Sequence, residues 1–166
     1  MDDLTYAEVG ATREGPLPTP YRQLTYRTLI GAGVMEPASQ AVLTWRMHRA
    51  AGVLIETSTS SAAPGTIVVS RLGVGPLRLA APCRVVWAEH TPNHAGFGYG
   101  TLPGHPMRGE EAFAVSRTDS DEVWFTITAF SLPVSWYARA GGPVIPLLQK
   151  EYARYLGHTL RRLCRT

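Results

Sequence analysis

The sequence predicts an α+β fold, a curved antiparallel β-sheet wrapped around a long C-terminal helix. Three observations predict it. Closely spaced runs of β character fill residues 66–130, with turn signals between them rather than helices. That spacing favours a meander over parallel strands joined by crossovers. Apolar residues at spacings of three and four then run from Val144 to Leu163. A helix with such a stripe must lay it on something, and the sheet and one earlier helix are the surfaces on offer.

The elements follow in order. Pro16, Pro18 and Pro20 alternate, so their segment is extended. Leu24–Ile30 reads as a short strand. A helix is predicted from Glu36 to Ala51, with Pro37 in its first turn and Gly52 as its stop. Ala38, Val42 and Trp45 form its stripe, with Leu43 and Met47 beside them. The Ser-, Thr- and Ala-rich stretch 57–65 is a surface loop. In Thr66–Leu72, Ile67 and Val69 alternate with polar groups. Leu77–Glu89 holds two β stretches, broken or bent near Ala81-Pro82, and Cys83, Val85 and Trp87 alternate along it. Phe97–Leu102, Glu111–Arg117 and Glu122–Phe130 follow. The last is the clearest, with Val123, Phe125, Ile127 and Ala129 on one face and Trp124, Thr126 and Thr128 on the other. Ser131-Leu132-Pro133 opens a second helical region, which Gly141-Gly142-Pro143 interrupts.

Composition narrows the function. A chain of 166 residues, 45% hydrophobic and 17% charged, is read as a single domain over residues 1–166 and not as a disordered polyampholyte. No apolar run reaches the roughly 18–20 residues of a membrane helix. The first thirty residues hold no secretory apolar core. A cytoplasmic bacterial protein is the expectation. Fifteen Arg and one Lys face thirteen acids, a net charge of +3. Arg154, Arg161, Arg162 and Arg165 suit the negative end of the last helix. No nucleic-acid motif accompanies them. Two cysteines, Cys83 and Cys164, make neither a disulfide framework nor a zinc site. No metal and no cofactor is implied. A nucleophilic Cys83 would need a cation beside it. Arg84 points to the opposite face of the same strand.

The stretch from Gly96 to Pro106, GFGYGTLPGHP, is the most informative. Gly96, Gly98 and Gly100 strip one face of a strand, while Phe97, Tyr99 and Thr101 occupy the other. Three causes fit: close approach of a helix, room for a ligand, or strong bending of the sheet. The string lacks the spacing and following helix of a dinucleotide fingerprint. His105 lies on the turn beyond, with Glu110 and Glu111 near it. A His beside a carboxylate is a candidate acid–base pair, because the anion raises the imidazole pKa. The other reading is a loop histidine with two solvated acids. Glu111, in phase with Phe113 and Val115, is placed at a cavity rim.

These strings together resemble a family of bacterial and plant domains of unknown function. The resemblance rests on residues 6–13 (YAEVGATR), 82–86 (PCRVV), the 96–106 stretch with Gly109-Glu110-Glu111 behind it, Ala129-Phe130-Ser131 and Gly141-Gly142-Pro143-Val144. This chain carries Leu132 and Pro146 where the family pattern has basic residues. The family in turn resembles the SRPBCC superfamily, the START-like helix-grip fold of START domains, polyketide cyclases and the birch-pollen allergen. That resemblance implies a ligand cavity between sheet and C-terminal helix. It carries no activity to transfer.

Three functions are weighed. The first is binding of an apolar small molecule or lipid, with Cys83, Arg84, Tyr99, Glu111 and Tyr152 as wall or rim groups and the bare glycine face as part of its support. The second is a cavity enzyme using His105 with Glu110 or Glu111, and Tyr99 or Arg84 to polarise a carbonyl. The third is a non-catalytic interaction domain presenting Trp124 and Trp136. For residues 6–13 the reading is a terminal segment tied onto the domain. The ligand, the presence of any reaction and the oligomeric state stay open.

Overall fold

The computed structural model describes residues 3–165. Seven strands form one sheet: β1 (Arg22–Ala32), β2 (Leu54–Thr57), β3 (Ile67–Leu72), β4 (Leu79–His90), β5 (His94–Thr101), β6 (Met107–Arg117) and β7 (Glu122–Pro133). Their order across the sheet is β1-β7-β6-β5-β4-β3-β2, and each neighbouring pair is antiparallel. The helices are α1 (Met35–Leu43), α2 (Arg46–Ala50), α3 (Trp136–Ala140) and α4 (Val144–Leu163). α1 and α2 carry the chain from one edge strand, β1, to the other, β2. This is the predicted α+β plan of a curved sheet gripping a long final helix.

One half of the concave face is filled. Phe97, Phe113, Phe125 and Ile127 are fully buried there against Ala38, Val42, Trp45 and Met47. Leu156 and Leu160 of α4 close the same cluster. Burying each large apolar side chain contributes roughly 1.5–3 kcal/mol. α4 comes close to β1, since a methyl group on Gly157 would press on Thr28 and Tyr26.

Several local expectations are corrected. The helix predicted over 36–51 is two helices, because Trp45 takes a left-handed backbone (φ 65°) and breaks the ladder. That turn lets the indole point into the core, where it is fully buried. β2 lies just before the expected loop and has only four residues, too few for a pattern. On β3 the buried face is Val68 and Ser70, not Ile67 and Val69, because Ile67 is 45% exposed. Apolar residues occupy both phases of that strand, so alternation could not choose between them. β4 runs through Pro82 unbroken; its irregularity is a bulge between Val85 and Trp87. The extra residue moves Trp87 off the face of Cys83 and Val85. Residues 131–133 extend β7, and α3 starts later, with the Ser135 side chain accepting from the Ala138 N–H.

α4 uses its stripe unevenly. Leu156 and Leu160 are buried, while Val144, Leu147, Leu148 and Tyr155 are all about half exposed. The apolar residues near its start have no core beneath them.

Candidate functional site

The glycine face of β5 is packed, and by groups other than a helix or ligand space. It points to the convex side of the sheet. The bulge in β4 places Trp87 opposite Gly98, and a methyl group there would overlap the indole. A methyl group on Gly100 would overlap the Tyr6 ring. Glycine is needed here for close approach of side chains.

The segment carrying Tyr6 is tied down by one carboxylate. Glu110 is 3% exposed and accepts from the Tyr6 hydroxyl (2.6 Å), the Gly10 N–H (2.7 Å), the Thr12 N–H (3.1 Å) and the Thr12 hydroxyl. The Trp87 Nε1–H donates to Thr12 Oγ1 at 3.0 Å. Burial, then the bond to Glu110, pushes the Tyr6 hydroxyl far up its range, so it donates and stays neutral. The tie between residues 6–13 and the sheet is thus a buried anion with donors from both backbone and side chains.

The opposite face of the same strands holds a cavity of about 420 Å³. Its floor is sheet: Ser70 on β3, Ala81 on β4, Tyr99 on β5 and Glu111 on β6. Its roof is Tyr137 and Ala138 of α3 with Ile145, Leu148, Gln149 and Tyr152 of α4. The unpacked start of α4 therefore lies over the cavity. An annex of about 80 Å³, lined in part by Cys83, Thr101 and Ser131, shares Tyr99, His105, Glu111 and Gln149 with it.

Tyr99 and Glu111 are register partners on adjacent strands. Burial pushes the Glu111 carboxyl up to about 7, and the Tyr99 hydroxyl pulls the other way. Burial likewise raises the hydroxyls of Tyr99 and Tyr152 and the thiol of Cys83, each with a further push from the Glu111 charge. All three stay protonated at neutral pH. Cys83 and Cys164 are both free thiols.

The predicted site residues therefore separate. Tyr99, Glu111 and Tyr152 meet in the cavity, and Cys83 lies in the annex. Arg84 does not join them: it pairs in register with Gly100 and acts on Tyr6 on the convex side. The bare glycine face is not the cavity face, because the cavity lies on the Tyr99 side. Glu110 is committed to the terminal segment, so the acid–base pair with His105 cannot use it. His105 lines the cavity with Glu111, but its Nδ1 accepts the Met107 N–H at 2.9 Å. Burial lowers it to about 4, against the expected rise. Among the described residues neither carboxylate hydrogen-bonds to it. Sequence reasoning missed Ser70 and Gln149. Ser70 was hidden by the inverted phase of β3, whereas the spacing of Gln149 and Tyr152 along α4 was available.

Two other regions lack the enclosure of this cavity. A groove of about 510 Å³ on the convex side, lined by Ala112, Ala114, Thr126 and Thr128 with Arg13 and Glu89, is open and floored by small side chains. Trp124 faces that side and stacks under Arg27, 4.1 Å from its ring centre, while Trp136 is 80% exposed. Among the described residues no cluster of His, Cys, Asp and Glu is arranged to hold a metal. No helix there is long and apolar enough to cross a membrane.

Comparison with known proteins places this architecture. Residues 5–159 match the model of a domain of unknown function, DUF1990. The chain belongs to that family. It is 33% identical over 173 residues to a UPF0548 protein of Deinococcus radiodurans, covering 95% of this chain and 86% of that one. It is 30% identical over 137 residues to a UPF0548 protein of Arabidopsis thaliana, covering 78% of this chain and 66% of that one. The DUF1990 fold resembles norcoclaurine synthase of Thalictrum flavum, solved as a point mutant with a transition-state analogue. The TM-score is 0.60 at 11% identity, over 90% of this chain and 97% of that one. At that identity the likeness shows the fold alone, a curved antiparallel sheet around a long C-terminal helix.

Proposed function

We propose that the chain, acting as one domain over residues 1–166, binds an apolar small molecule or lipid between the sheet and α3–α4. One observation carries this reading. The cavity of about 420 Å³ is walled mainly by apolar side chains, and a few polar groups converge on it: Tyr99, Glu111, Tyr152, His105 and Ser70. That is the usual composition of a small-molecule site. Exposed Leu72, Leu79 and Leu148 are part of the same wall, so an apolar path leads inward from solvent.

Native mass spectrometry of freshly purified protein, followed by solvent extraction, tests it. The expected result is an adduct released as an apolar molecule, or uptake of an apolar fluorescent probe. Ala81→Trp, which fills the floor, should abolish both. A bare mass with no probe uptake in the unaltered protein would remove the reading and leave the interaction domain, for which a concentration-dependent mass is the next measurement.

A second reading, catalysis in the same cavity, draws on Glu111, whose carboxyl is half-ionised near neutrality and so suited to proton transfer. Incubating the extracted ligand with protein and observing no change in its mass would remove it.

A further inference from the structure

The cavity holds an acid and lacks a cation. Neither Lys nor Arg lines it or its annex. Among the described residues no ion pair involves Glu111. The titratable groups that act on Glu111 or line its space are Cys83 on β4, Tyr99 on β5, His105 on the β5–β6 turn and Tyr152 on α4; Tyr137 of α3 and Glu110 of β6 also line the cavity or annex, and neither side chain can carry a positive charge. None of them is cationic at neutral pH, because burial holds the thiol and hydroxyls protonated and the imidazole neutral. Ser70 adds a hydroxyl beside Tyr99 on the same floor, and it is 5% exposed.

A half-buried carboxyl that meets the Tyr99 hydroxyl but has no counter-ion is resolved in one of two ways: it takes a proton, or a ligand brings the missing charge. The sign of that charge selects ligands. A carboxylate would set a second anion beside Glu111 in a poorly solvated space. An ammonium would supply a counter-ion and donate hydrogen bonds to the carboxylate and to oxygens such as Ser70 Oγ. We propose that the cavity selects molecules with a protonated amine head on an apolar body, with Glu111 as counter-ion, and discriminates against carboxylic acids. The inference rests on the binding reading and adds the charge class of the ligand.

The test uses three probes of equal length, octylamine, octanol and octanoate, competing with an apolar fluorescent probe at pH 8. The amine should bind at least tenfold tighter than the alcohol, and octanoate weakest. Glu111→Gln should collapse the amine-to-alcohol preference to about one. A second measurement needs no substitution. Below pH 6 the advantage of the amine over the alcohol should shrink towards unity, because Glu111 takes a proton while His105 stays neutral to about 4. Octanol binding with no preference for the amine, or with octanoate tighter, overturns this inference and leaves the binding reading intact. A fluorescent probe that binds but is displaced by none of the three overturns this inference alone; a bare mass with no uptake of the fluorescent probe overturns both.

Discussion

Glu110 and Glu111 are neighbours on β6 that face opposite sides of the sheet, one sealed under residues 6–12 and the other on the cavity floor. The period of two in a strand makes this possible, and it gives two identical side chains opposite energetic roles.

Glu110→Ala leaves the Tyr6 hydroxyl and the N–H groups of Gly10 and Thr12 without their acceptor. The expected loss is about 3 kcal/mol or more by urea unfolding, with faster proteolysis in residues 6–20. Glu111→Gln should cost little at pH 8, because it removes a carboxylate that is ionised there without a cation.

Acid sensitivity provides a second prediction. His48 is fully buried, neither ring nitrogen has a partner, and burial lowers it to about 4. Its folded value lies below its unfolded one of 6.5, so its contribution is present above 6.5 and lost as pH falls towards 4. The full loss is about 3 kcal/mol, at 1.36 kcal/mol per pKa unit. His105 has the same sign. Glu111 has the other: raised from 4.5 to about 7, it favours the folded state below 4.5 and loses that as pH rises through 7. Between pH 7 and 4.5 it therefore offsets one histidine. Denaturation curves across that window should steepen in Glu111→Gln and flatten in His48→Leu.

Gly98→Ala should destabilise by about 1–3 kcal/mol through overlap with the Trp87 indole. Trp87→Leu in the same chain should recover part of that loss, and a double-mutant cycle measures the coupling. Additive effects would mean that the two residues do not press on each other.

Backbone exchange should differ along α4. Its first turns, around Leu147 and Leu148, are exposed over the cavity, while Leu156 and Leu160 are locked in the core. Amide hydrogen exchange should be faster over residues 145–150 than over 156–161, and a bound ligand should slow the first group more than the second. Uniform protection would contradict an unpacked roof.

Much of this architecture was legible from pattern. The alternation from Val123 to Ala129 placed β7, and the spacing from Val144 to Leu163 placed α4. Tyr99, Glu111 and Tyr152 are legible as cavity candidates because phase on a strand or helix is a local property. What failed depended on single backbone events. The left-handed Trp45 split a helix, and the bulge before Trp87 moved a side chain through the sheet. The glycines of β5 stand out in the sequence, but the groups covering them come from residue 6 and from a shifted register. Contacts separated by so much chain leave no local pattern.

The reach of Arg161 bears on how copies of this chain meet. β1 is an edge strand of eleven residues, paired among the described residues with β7 alone, and an edge of that length is a template for strand addition by another molecule. From α4, the Arg161 guanidinium donates twice to the Leu29 carbonyl, at 2.7 and 3.0 Å, and once to the Thr28 hydroxyl at 2.8 Å. These bonds occupy the strand beside its bulge between Leu29 and Gly31. The last helix thus serves as a stopper on the open side of the sheet as well as the content of its grip. Loss of that arginine would register less in the melting temperature than in the concentration at which the protein begins to aggregate.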